Sequence, residues 1–206
     1  IIFGGTSQPA VDILLGDNGT VVLSDPTAAP GENFDIFSSD HAFGGPDVIR
    51  GGDGDDFILG GSDGDPNNGV SVLGDTIDGD LGDDIILGDG GYIVRNDSLT
   101  VTWIRTTGAE HGGDDTIDNT YDGGRDTIFG GTGNDTIFGG DNDATDDGAA
   151  EVLVGDNGGI VLVGFQVIDL VGENGESVLV GDQTINAGDM THDITANSND
   201  VYTTDP

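Results

Sequence analysis

The chain has 206 residues, of which 40 are Asp or Glu, 4 are Lys or Arg and 39 are Gly, for a formal net charge of −36. Nucleic acid and anionic membrane surfaces are poor partners for such a chain, and divalent cations are natural ones. It has no Cys, so no disulfide framework or thiolate metal site exists, and no run is apolar enough to cross a membrane.

Along the chain, short apolar triplets alternate with turns rich in Gly and Asp. Leu14-Leu15-Gly16-Asp17-Asn18-Gly19 comes first, followed by the strand-like Val21-Val22-Leu23 and a Pro/Ala loop from Asp25 to Asn33. Gly44-Gly45-Pro46-Asp47-Val48-Ile49 is a short turn. Gly51-Gly52-Asp53-Gly54-Asp55-Asp56-Phe57-Ile58-Leu59 then spells G-G-x-G-x-D-x-U-x, with U a large aliphatic residue. Asp47, Asp56 and Asp65 fall nine apart, as do Asp75 and Asp84. Gly79-Asp80-Leu81-Gly82-Asp83-Asp84-Ile85-Ile86-Leu87 keeps everything but the second Gly.

The opening motif returns as Ile86-Leu87-Gly88-Asp89-Gly90-Gly91, followed by Tyr92-Ile93-Val94. Leu99 to Thr106 alternates like a half-exposed strand. Gly112-Gly113-Asp114-Asp115-Thr116-Ile117 and Gly123-Gly124-Arg125-Asp126-Thr127-Ile128 are shortened turns. Gly130-Gly131-Thr132-Gly133-Asn134-Asp135-Thr136-Ile137-Phe138 is the second complete nonapeptide. Leu153-Val154-Gly155-Asp156-Asn157-Gly158 opens a third unit, with Ile160 to Val163 and Phe165 to Val171 strand-like behind it. A nine-residue period is thus nested in one of roughly seventy. The organisation expected is one continuous solenoid over 1–206, with super-repeats near 1–85, 86–152 and 153–206. No segment shows a sustained 3.6-residue pattern, so the chain is predicted to be all-β.

The chemistry of the nonapeptide follows from its residue types. Glycines at the first, second and fourth positions permit a tight turn with φ > 0 and leave carbonyls exposed. The Asp at position six adds a carboxylate, and x-U-x is a short strand with its central side chain inward. Carbonyl and carboxylate oxygens together suit Ca²⁺, which takes six to eight hard ligands. Apolar content is close to the level at which highly charged chains stay disordered, so the metal-free chain is expected to be partly or wholly unfolded.

These repeats resemble the RTX family, the hemolysin-type calcium-binding repeats. The resemblance implies a Ca²⁺-binding parallel β-roll or β-solenoid, whose neighbouring turns share several Ca²⁺ ions through position-six Asp side chains and turn carbonyls. Carried onto this chain, the ligands are Gly51, Asp53, Gly54 and Asp56; Gly79, Gly82 and Asp84; and Gly130, Thr132, Gly133 and Asp135. Partial turns add Asp47, Asp65, Asp75, Asp115 and Asp126. Turns on one side of a roll are two repeats apart, which pairs Asp47 with Asp65 around one ion. RTX-like proteins are generally exported by type I secretion, which implies an extracellular or cell-surface location. Residue 1 is Ile with no leader, and Asn199 to Pro206 does not look like a finished end, so a fragment or mature piece of something longer is expected.

Other motifs carry less. Gly60-Gly61-Ser62-Asp63-Gly64 matches G-x-S-x-G, but Pro66-Asn67-Asn68-Gly69 follows where a nucleophile elbow needs a helix. His41, His111 and His192 stand far apart with no H-E-x-x-H, and read as exposed loop residues. Asp141 to Gly148 lacks the terminal Glu of an EF-hand. Asp17-Asn18-Gly19 and Asp156-Asn157-Gly158 read as plain turns closing a coil, a metal role being the second reading. Trp103 reads as a packing residue sealing its excursion to the roll. Thr76, Thr116, Thr127 and Thr136 predict an outward ladder, interrupted by Val48, Phe57 and Ile85.

Three functions compete, none of them catalysis within these residues. The first is a structural segment of an extracellular filament, surface layer or adhesin, stacked head to tail on other copies of the repeat. The second is a secretion and folding module of a larger secreted enzyme or toxin; the third is an ice-binding β-roll. The long super-repeat favours the first. Acid is expected to act like chelation, releasing Ca²⁺ as the pH falls towards the ordinary carboxylate value of about 4.

Overall fold

The computed structural model describes residues 1–5, 10–22, 35–63, 73–96, 99–119, 124–133, 135–139, 152–155, 157–163, 166–172, 177–178 and 201–203. In chain order its strands are β1 (Ile2–Phe3), β2 (Ile13–Leu15), β3 (Gly19–Val21), β4 (Ile36–Ser38), β5 (Val48–Asp53) and β6 (Phe57–Gly61). Then follow β7 (Leu73–Leu81), β8 (Ile85–Asp89), β9 (Gly91–Arg95), β10 (Val101–Thr106), β11 (Asp114–Asp118) and β12 (Thr127–Phe129). The last are β13 (Thr136–Phe138), β14 (Val152–Val154), β15 (Gly158–Val163), β16 (Gln166–Gly172), β17 (Ser177–Val178) and β18 (Val201–Thr203). Among the described residues there is no helix.

Two parallel sheets form the roll. The first runs β1-β5-β7-β11-β13 and the second β2-β6-β8-β12-β14-β18. Position-eight residues stack in register on each: Ile2, Ile49, Ile77, Ile117 and Ile137 on the first, and Leu14, Ile58, Ile86, Ile128 and Leu153 on the second. These rows form one core between the sheets. A period of nine works because one strand and one turn carry the chain across this core, and the next strand and turn carry it back.

A third, antiparallel sheet covers the outer face of the second and runs β3-β4-β9-β10-β15-β16-β17. It is built from the excursions, each of which leaves the roll from the end of a second-sheet strand. Its Ile36, Ile93, Ile104 and Ile160 pack on Leu59, Leu87, Phe129 and Val154, which point away from the roll's own core. Sequence and burial agree on this. Four strands of the second sheet, β2, β6, β8 and β14, open on unbroken apolar triplets because both faces are covered. In the first sheet, Val48 and Arg50 flank buried Ile49 and are exposed, so each strand there alternates.

Two expectations are corrected here. Thr76, Thr116 and Thr136 do lie in register on the first sheet, next to Val48, but Thr127 belongs to the second sheet, between Ile85 and Val152. Ile104, not Trp103, seals the excursion: Trp103 stands edge-on to Tyr92 with centroids 5.2 Å apart, on the face opposite that core. The alternation of β10 turns the two neighbours to opposite sides.

Candidate metal centre

Two columns of aspartate run along the edges of the roll. Where the chain passes from the first sheet to the second, the Asp12 N–H donates to Asp56 Oδ1 (2.7 Å), the Asp56 N–H to Asp84 Oδ1 (2.8 Å) and the Asp84 N–H to Asp126 Oδ1 (2.9 Å). On the opposite edge the Asp47 N–H donates to Asp75 Oδ1 (2.6 Å), the Asp75 N–H to Asp115 Oδ1 (2.7 Å) and the Asp115 N–H to Asp135 Oδ1 (2.9 Å). Each Asp directly precedes its strand triplet, so a side-chain oxygen takes up an N–H at the turn and carries the ladder one residue further. Each coil then locks the one before it.

That arrangement uses one carboxylate oxygen and leaves the other. Oδ2 of Asp56, Asp75 and Asp115 is buried with no hydrogen-bond partner among the described residues. A buried acceptor in that state is costly unless something binds it. Glycine keeps the space beside it open: a Cβ at Gly51 would run into both Asp56 Oδ2 and the Gly79 carbonyl. Carboxylate oxygens and bare carbonyls brought together in this way fit Ca²⁺.

The tight turns themselves need glycine. Gly133 has φ +139°, and a Cβ there would collide with the Gly113 carbonyl of the neighbouring coil. Position-three backbone groups tie coil to coil: the Asp53 N–H donates to the Gly5 carbonyl (2.9 Å), and the Asp53 carbonyl accepts from the Ala10 N–H (3.0 Å). The Gly54 N–H donates to the Leu81 carbonyl (2.7 Å). Thr132 donates its hydroxyl to the Ala109 carbonyl (2.9 Å), and its N–H goes to Asp89. Gly82 repeats the turn of Gly133, with φ +142°. Asp65 lies outside the described residues; the acid in register with Asp47 is Asp75.

The densest acidity is on the second edge. Carboxylate oxygens of Asp63, Asp75 and Asp115 all lie within 4.8 Å of one another, and the three residues are 8%, 2% and 1% exposed. Burial pushes Asp75 up to about 8, and Asp63 beside it adds to the shift. Burial likewise lifts Asp115 to about 10, with Asp89 next in effect, and Asp63 to about 7. Asp56, on the other edge, rises to about 6 for the same first reason. The expectation that protons compete with Ca²⁺ only near pH 4 therefore changes. In the metal-free sites protonation sets in above that value, because burial disfavours the charged carboxylate.

Four acids outside the expected ligand set line these edges. Asp12 precedes Ile13-Leu14 as Asp56 precedes Phe57-Ile58, and that match was the available signal. Asp63 was hidden inside the G-x-S-x-G string. Asp17 and Asp89 close the excursions: Asp17 accepts from the Gly45 and Ser62 N–H groups, and Asp89 from those of Gly113 and Thr132. Each thereby bolts the returning end of its own excursion to the next coil. Asp17 closes its coil, and its side chain lies near Asp47 of the acid column; Asp156 lies outside the described residues.

Ser62 is buried, with its hydroxyl 3.3 Å from His41 Nδ1. His41 is half-buried, not an exposed loop residue: its ring fills the space above Gly90 and Gly108 and braces the second excursion against the first. His111 is half-buried too, and its carbonyl accepts the Asp63 N–H (3.1 Å). His192 and 141–148 lie outside the described residues.

Residues 41–65 and 120–143 match the family profile of the RTX calcium-binding nonapeptide repeat (4 copies). These two segments are RTX-type calcium-binding repeats. RTX repeats bind Ca²⁺, and the roll's buried carboxylates are the groups available to hold it. The matched segments contain Asp47, Asp56, Asp63, Asp126 and Asp135, while the same hydrogen-bonded columns extend through Asp12, Asp75, Asp84 and Asp115 outside them. No curated protein and no solved structure matches the chain.

Proposed function

We propose that this Ca²⁺-binding roll is a structural segment of an extracellular filament, surface-layer or adhesin protein, exported by type I secretion. In this reading residues 1–206 are one continuous solenoid, and its super-repeats of roughly seventy residues stack head to tail on further copies. The observation that carries it is the third sheet. Excursions far apart in sequence pair there, β4 with β9 through Ile36 and Ile93, and β10 with β15 through Ile104 and Ile160. Such a sheet lengthens by one hairpin for each super-repeat added, so both roll and cover propagate along one axis. A module that only assists secretion has no use for this cover.

Among the described residues, the outermost strands of the roll, β1 and β2 at one end and β13 and β18 at the other, present parallel edges. A further coil adds there at a spacing of about 4.8 Å. Contacts of this non-closing kind generate filaments, not rings. The ice-binding alternative is weakened by the row beside the Thr ladder, which carries Arg50, Asp78 and Asp118. Electron microscopy of the Ca²⁺-loaded chain tests the proposal. Filaments that dissolve on chelation are expected; monomers alone at every Ca²⁺ and protein concentration would overturn it.

A further inference from the structure

Asp63 stands where the roll's tight turns carry glycine. Counted from Gly60 it holds the fourth position, that of Gly54, Gly82 and Gly133, whose φ angles are +139°, +142° and +139°. Asp63 itself is not among the residues of positive φ. In sequence, residues 64–72 stand between this turn and the strand that carries Asp75. The interruption of the nonapeptide thus admits a side chain, and that side chain is an acid.

Its carboxylate enters the interior beside Asp75 and Asp115. Both oxygens of Asp63, and Oδ2 of Asp75 and of Asp115, are buried without a hydrogen-bond partner. Among the described residues this is the one place where three acids meet within 4.8 Å. The chain's own cations are committed elsewhere: Arg50 to Asp78 and Asp80, Arg95 to Asp35, Arg125 to Asp83, and Arg105 to the Tyr92 hydroxyl. Three buried carboxylates without a protein counter-ion can be ionised together only where a cation binds them.

We propose that Asp63, Asp75 and Asp115 form the tightest cation site of the roll, one that takes Ca²⁺ or a trivalent lanthanide and fills before the complete nonapeptide turns. The proposal rests on the reading of the roll as a Ca²⁺ binder. Oxygen sites gain affinity with the charge of their ligands, and this site concentrates more charge than a turn whose ligands are mostly carbonyls. Its position adds a consequence. Asp63 follows β6 of the second sheet, while Asp75 and Asp115 lie on β7 and β11 of the first. One ion there ties the two sheets together, so its binding is the step that organises the rest.

Calorimetric titration of the full chain with Ca²⁺, in competition with a chelator, tests this in the wild type and in Asp63→Asn, Asp63→Gly and Asp56→Asn. Asp63→Gly restores the residue that the turn motif has at this position. The wild type is expected to show a one-ion class tighter than the rest. Both Asp63 variants should weaken that class by at least about tenfold while keeping the β circular dichroism spectrum at saturating Ca²⁺. Asp56→Asn should keep the tight class and lose a weaker site, and Tb³⁺ should displace Ca²⁺ from the tight class first. The proposal is overturned if the Asp63 variants titrate like wild type, if both fail to fold in saturating Ca²⁺, or if Asp56→Asn loses the tight class equally. Absence of Ca²⁺ binding in every protein would instead overturn the calcium reading itself.

Discussion

Remove Ca²⁺ with excess chelator, and the pH should decide whether the roll survives. Asp75 shows the size of the effect. It is 2% exposed, its Oδ1 accepts the Asp47 N–H, and burial raises it from 3.8 to about 8. A carboxyl raised in the folded state stabilises that state below its unfolded value, and the contribution is lost as the pH climbs through the folded one. For Asp75 the window runs from 3.8 to about 8. At about 1.4 kcal/mol per pH unit, lowering the pH from 8 to 5 returns on the order of 4 kcal/mol from this one group. A typical domain has about 5–15 kcal/mol in all. Asp63, Asp89 and Asp115, raised to about 7, 7 and 10, act in the same direction. The chelated chain should therefore lack β circular dichroism at pH 8 and regain it towards pH 5, while the Ca²⁺-loaded chain is folded at pH 8. A chelated chain equally unfolded at both values would refute the claim that ionised interior carboxylates, and not missing metal bonds alone, break the roll.

Two substitutions probe the turns and the core in saturating Ca²⁺. Gly133→Ala places a Cβ against the Gly113 carbonyl at φ +139°, and should cost about 1–3 kcal/mol, read as a lower thermal midpoint; an unchanged midpoint would mean that the turn relaxes freely. Ile86→Ala empties a fully buried place between Ile58 and Ile128, and should cost about 2–5 kcal/mol in chemical denaturation, whereas Val48→Thr on the exposed face should stay within about 0.5 kcal/mol. Equal losses from the two would deny that the Ile row is the core.

Much of the roll was legible in the residues alone. Gly-Gly-x-Gly followed by Asp and an aliphatic triplet states a turn, a carboxylate and a strand in one string, and nine residues is the length of one such crossing. The position-six acids Asp56, Asp75, Asp84, Asp115, Asp126 and Asp135 could be named because each stands at a fixed distance from its own strand. Period and chemistry are local properties, carried by backbone freedom and side-chain type. What the string does not state is which coil each acid meets. Asp75 is the neighbour of Asp47, although Asp65 keeps the nine-residue count. Nor does it state that Asp63, an irregularity in its turn, meets Asp75 and Asp115, since 40 residues of chain separate the latter two. The third sheet is of the same kind. Val21, Ile36, Ile93, Ile104 and Ile160 announce strands but not a shared sheet, which forms because the second sheet's outer row of Leu59, Leu87, Phe129 and Val154 is apolar and must be covered. Composition and spacing determined the coil and the ion it calls for; stacking brought distant carboxylates and hairpins together, because burial acts between coils and not along the chain.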